Sequence, residues 1–72
     1  DFAKGEKVLD VGSGTGVLIP YLERKIGKNG SITAIDIAEN MIKVSRRKNK
    51  YSNLNFQIAD FLNMKVKRDM IV

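Results

Sequence analysis

Apolar runs and helix-spaced apolar positions alternate along this chain. Val8, Leu9 and Val11 make a short, nearly continuous apolar run around Asp10, and it enters Gly12-Ser13-Gly14-Thr15-Gly16. That is the pattern of a buried strand followed by a tight turn. Leu18, Leu22 and Ile26 then recur at i, i+4 and i+8 with Tyr21 beside them, the spacing of one helix face. Pro20 suits a first helical turn and would break an interior, so the helix is predicted to begin close to Thr15 or Gly16. Gly27 and Asn29-Gly30 stop it and turn the chain. Ser31 to Ile35 is rich in β-branched residues and gives a second strand ending at Asp36. Ile37, Met41 and Val44 return to helical spacing, with Met41 expected in the core. Ser52-Asn53 reads as a loop, Asn55 to Ala59 as a third strand ending at Asp60, and Asp69 to Val72 as the start of a fourth.

The order β-α-β-α-β-β predicts an α/β chain with a parallel sheet, right-handed crossovers and helices on the sheet faces. Four strands and two helices supply only part of the cover such a sheet needs. The expectation is therefore one partial domain over residues 1–72, the N-terminal half of a doubly wound sheet truncated in its fourth strand. A start at Asp1 without an initiator methionine, and an end at Met70-Ile71-Val72 in mid-pattern, suit a cut at both ends.

Composition narrows the chemistry. The 72 residues are 43% apolar and 29% charged, the balance of a folded chain. There is no cysteine, so no disulfide framework, thiolate metal site or cysteine nucleophile. Histidine is also absent, which excludes Ser-His-Asp catalysis, imidazole acid–base work and the usual zinc sites; no metal is expected.

Three of the eight acids, Asp10, Asp36 and Asp60, sit at or near the ends of the three complete strands. In an open α/β sheet the crevice outside the carboxyl ends of the strands is where ligands bind. Carboxylates placed there suit ligand hydroxyls and amines. The glycines allow close backbone approach, and the helix start offers N–H donors to an anionic group. Asp36 follows Gly16 by 20 residues, the spacing at which a carboxylate meets ribose hydroxyls. An adenosine-containing ligand satisfies all of this. The loop is G-x-G-x-G, not G-x-G-x-x-G, and Asp10 would repel a pyrophosphate but welcome an amino group.

These segments resemble the class I S-adenosylmethionine-dependent methyltransferases. Residues 8–16, VLDVGSGTG, look like their motif I; residues 34–42, AIDIAENMI, like the second motif; residues 55–61, NFQIADF, like the third. Within that family the chain is similar to the ubiquinone- and menaquinone-methylating enzymes. The resemblance implies a Rossmann-like fold, S-adenosyl-L-methionine as cofactor and a small-molecule methyl acceptor. It also implies roles: Gly12, Ser13, Gly14 and Gly16 form the loop around the methionyl portion, with Asp10 toward its amino end. Asp36 would take the ribose hydroxyls, Ile37 and Met41 would cover the adenine face, and Asp60 and Phe61 would meet the adenine edge. Ser13 stands where the family often has cysteine, and Ala38 where it often has a capping serine, a loss of roughly 1 kcal/mol at the helix start. Acceptor-positioning residues would fall after Val72, so no catalytic residue is named.

Outside the motifs, Asp10 has the alternative of serving loop N–H groups, Asp36 of capping a helix, and Asp60 of ending a strand. Net charge is +5, concentrated in Lys43, Arg46, Arg47, Lys48 and Lys50 and in Lys65, Lys67 and Arg68. A solvated helix face accounts for the first group; a nucleic-acid or anionic-lipid surface is the competing reading. No signal peptide or membrane-length apolar run is visible, so the expected setting is cytoplasmic, without a membrane partner. An unpaired fourth strand would invite self-association. The functions in contention are a methyltransferase cofactor-binding segment, a nicotinamide dinucleotide-binding unit, and a basic binding module.

Overall fold

The computed structural model describes residues 3–59. They form β1 (Lys7–Val11), α1 (Ile19–Ile26), β2 (Ser31–Asp36), α2 (Glu39–Lys48) and β3 (Leu54–Ile58). The sheet has three parallel strands in the order β1-β2-β3. Val8 lies beside Ile32 and Ile32 beside Leu54; one layer up, Asp10, Ala34 and Phe56 align. The predicted fourth strand, Asp69 to Val72, lies outside the described residues.

Side chains alternate across a strand, so Val8, Ile32, Ala34, Leu54 and Phe56 share one face of the sheet. That face is the core, closed by Ile19, Leu22 and Ile26 of α1. Phe56 also carries the Arg46 guanidinium of α2 over its ring, 5.4 Å from the centroid. Both helices thus cover the same face, not one each. The strand order explains it, because both crossovers step the same way across the sheet and right-handed connections then pass over the same side.

The helices start later and turn differently from the periodic pattern. α1 begins at Ile19, not near Thr15 or Gly16. Gly14 and Gly16 have φ of +58° and +82°, which no helix accommodates, and residues 14–18 form turns instead. Pro20 accordingly falls in the first helical turn. The core-facing stripe is therefore Ile19, Leu22 and Ile26, while Leu18 precedes the helix and is 49% exposed. In α2 the buried positions are Ile42 and Ser45; Met41, expected in the core, is 43% exposed. The third strand begins one residue early, at the buried Leu54. Asn53 anchors that entry, its amide donating to the carbonyls of Gly27 (3.2 Å) and Gly30 (2.9 Å) and tying β3 to the α1–β2 turn.

Ser45 is completely buried and its hydroxyl has no hydrogen-bond partner among the described residues. A buried unsatisfied group costs about 1–3 kcal/mol. Ser45→Ala is expected to raise the thermal midpoint, by the equivalent of about 1 kcal/mol; a lowered midpoint would mean that the hydroxyl is used.

Candidate functional site

The site is built where β1 and β2 end. The Ile35 carbonyl of β2 accepts two N–H groups, from Gly12 at 2.8 Å and Ser13 at 3.1 Å. The next amide, Gly14 N–H, donates to Asp36 Oδ2 at 2.8 Å. Three successive loop amides are therefore spent on β2. The cause is the register: β1 and β2 stay paired up to Val11 and Ile35, so the following amides fall directly over the end of β2.

What the loop does present is space. Among the described residues, a Cβ added to Gly12 or Gly14 would meet nothing within 4 Å, and both have positive φ, +68° and +58°. Gly16 is the opposite case. A Cβ there would collide with Ser45 Oγ and lie 2.6 Å from Asn49 Nδ2, so the third glycine is packed against α2.

Asp36 borders that space, and Asp10 lies buried in the strand that leads into the loop. Asp36 accepts Gly14 N–H on one oxygen and Ala38 N–H, at 2.9 Å, on the other. The Ala38 bond first, then the Gly14 bond, hold its carboxyl below the ordinary value of 3.8. The capping alternative for Asp36 is partly realised: the N-cap is Ala38 itself, which has no side-chain bond, and Asp36 serves its N–H from two residues upstream. A carboxylate has about four lone-pair sites, so these two bonds leave acceptor capacity. Asp10 is only 4% exposed and its Oδ2 has no partner among the described residues. Burial pushes its carboxyl above 3.8. Ser13 Oγ is a second buried oxygen without a partner among the described residues. The alternative that Asp10 serves loop amides fails for that oxygen. No basic residue occurs in 10–16 or 36–41.

Apolar surface adjoins the acids. Ile37 is 71% exposed directly after Asp36, and Met41 projects from the first turn of α2. The structure thus gathers the glycine loop and Asp36 by direct bonds and sets Asp10 in the strand beneath the loop. Asp60 and Phe61 lie outside the described residues. The basic residues Lys43, Arg46, Arg47 and Lys48 are exposed on α2 and Lys50 just beyond it, with Lys43 paired to Glu39 at 3.2 Å, an exposure common to both readings of this face. Missed by sequence reasoning were Ser45 and Asn49, both buried beneath the loop. Their signal was spacing: with Ile42 they form an i, i+3, i+7 stripe in which small polar residues replace apolar ones.

A family model described as "Methyltransferase domain" matches residues 2–72. The ubiquinone/menaquinone biosynthesis C-methyltransferase of Psychromonas ingrahamii is 47% identical over 45 residues, 62% of this chain and 18% of that protein. The demethylmenaquinone methyltransferase of Staphylococcus haemolyticus is 34% identical over 61 residues, 83% of this chain and 26% of that protein. Among solved structures, a SAM-dependent methyltransferase from Aquifex aeolicus superposes with a TM-score of 0.76 at 32% identity, covering 83% of this chain and 34% of that one. The chain therefore spans roughly a fifth to a third of the length of the proteins it matches. The three-stranded sheet corresponds to the N-terminal part of a Rossmann-like methyltransferase fold. With a match running from residue 2 to residue 72, the glycine loop and its two acids have a family: this chain belongs to the methyltransferase domains.

Proposed function

We propose that this chain is the S-adenosylmethionine-binding part of a methyltransferase, a partial domain over residues 1–72, and that the protein carrying it methylates a small molecule. A demethylated quinone of the kind named for the curated relatives is the acceptor class. A cytoplasmic setting belongs to the same proposal. One observation carries the cofactor assignment: open space over Gly12 and Gly14 beside the Asp36 carboxylate, with buried oxygens of Asp10, in the strand that enters the loop, and of Ser13 lacking partners among the described residues. That set of acceptors fits a ligand bearing an ammonium and hydroxyls. It does not fit a pyrophosphate, since the first three loop amides are already bonded within the protein.

In this reading Asp10 faces the ammonium of the methionyl portion, directly or through water, and the backbone of Gly12, Ser13 and Gly14 lines that portion. Gly16 seats the loop on α2. Asp36 accepts the two ribose hydroxyls with its remaining lone pairs, and its low pKa keeps it an acceptor at neutral pH. Ile37 and Met41 cover an adenine face. Asp60, through its carboxylate, and Phe61, through its backbone N–H, complete the adenine edge. When bound, S-adenosylmethionine supplies a methyl group on a sulfonium, which an acceptor nucleophile takes by in-line displacement. Holding the partners in line is the protein's main contribution.

Two measurements on Asp10 test this reading. Its raised pKa means that the charged form is disfavoured in the fold, so native stability rises as pH falls through the folded value toward 3.8. Asp10→Asn is therefore expected to raise the melting point at pH 7, an advantage that vanishes below pH 3.8. The same variant is expected to lose the preference for S-adenosylhomocysteine over its desamino analogue, about ten-fold in the unmodified protein for one charge-assisted bond. Equal binding of the two ligands by the unmodified protein would contradict the assignment of Asp10.

A further inference from the structure

We propose that Asn49 is a positioning residue for the cofactor loop, acting through the carbonyl of Gly16. The inference rests on the reading of that loop as the S-adenosylmethionine cradle. Asn49 follows the last turn of α2 and is 5% exposed. Its side-chain amide carries two hydrogens, and both are used: one reaches the Ser45 carbonyl at 3.1 Å, the other the Gly16 carbonyl at 3.4 Å, 33 residues away in sequence. The first bond finishes the helix. The second crosses to the glycine loop and has no role in closing α2. Gly16 packs so tightly on Ser45 and Asn49 that a single added carbon would collide with both, which makes the end of α2 the floor of the loop.

The consequence is a loop held at two points by the second β-α unit. Asp36, at the end of β2, fixes Gly14 through its amide. Asn49, beyond the end of α2, fixes Gly16 through its carbonyl. Between them lies Thr15, and on the Gly14 side opens the space over Gly12 and Gly14. Releasing Gly16 leaves the acids in place but frees one end of the backbone that shapes the cradle. Affinity should then fall without loss of any group assigned to the ligand.

The test compares Asn49→Ala and Asn49→Ser with Ile42→Val, a core variant on the same helix, in the protein carrying this chain. Calorimetric titration with S-adenosylhomocysteine and the thermal midpoint are read for each. A serine side chain is one bond shorter and has one hydrogen, so Asn49→Ser keeps the local Ser45 carbonyl but cannot reach the Gly16 carbonyl, already 3.4 Å from the asparagine amide, and it guards against an alanine variant that does not fold. Loss of one hydrogen bond corresponds to about a five-fold rise in Kd. That rise is expected for both Asn49 variants, while Ile42→Val lowers the midpoint and leaves Kd within about two-fold. Asn49 variants with lowered midpoints and unchanged Kd would reduce Asn49 to a helix cap and overturn the proposal. An unmodified protein that fails to bind S-adenosylhomocysteine would instead overturn the reading of the cradle on which it stands.

Discussion

Asp36→Ala is expected to weaken S-adenosylhomocysteine binding by at least about 100-fold. Two effects add. The ribose hydroxyls lose a charged acceptor, and hydrogen bonds to charged groups are worth about 1.5–3 kcal/mol each. The loop amide of Gly14 also loses its 2.8 Å bond, so the cradle is no longer tied to β2. The same carboxylate links stability to pH. Its folded pKa lies below 3.8, so its stabilising contribution is fully present above that value and is lost as pH falls through the folded one. Asp36→Ala should therefore melt lower than the unmodified protein at pH 7, with the gap closing at strongly acid pH. Titration calorimetry and melting curves at both pH values check the two halves separately. A variant that binds within ten-fold of normal would show that Asp36 only caps the turn before α2.

Gly16→Ala should be the most disruptive single substitution in the loop, costing about 2–4 kcal/mol. At φ +82° an alanine pays about 1 kcal/mol or more for the left-handed backbone. The remainder comes from displacing Ser45 and Asn49, which are buried and have little room to yield. For a chain of 72 residues, total stability at about 0.05–0.15 kcal/mol per residue makes that a large share. Gly14→Ala is the comparison. Its φ is also positive, but its Cβ direction is open, so only the backbone term of about 1 kcal/mol applies. Denaturant midpoints of the two variants should differ accordingly. Equal losses would mean that α2 does not support the loop at Gly16.

The strand-loop-strand frame was legible because its signals are local. An apolar run entering three alternate glycines, and β-branched residues ending at Asp36, need no distant partner to be interpreted. Helix phase was not local. The start of α1 depends on how far the glycine loop runs before backbone with negative φ resumes, and a shift of that start exchanges Leu18 for Ile19 at the core. Met41 and Ile42 traded places for the same reason in α2. Placement of both helices on one sheet face followed from strand order, which spacing alone does not contain. Asn49 was hidden by its neighbours: among Arg46, Arg47, Lys48 and Lys50 it looks like one more solvated residue, and only the fold turns it inward to Gly16.

The central claim is that this cradle takes the methyl donor and not a dinucleotide. Titrating the chain with S-adenosylhomocysteine and, in parallel, with NAD tests it most directly. Saturable binding of S-adenosylhomocysteine, weakened by at least about 100-fold in Asp36→Ala and not matched by NAD, is the result the structure predicts. A folded sample that binds NAD and ignores S-adenosylhomocysteine would contradict it.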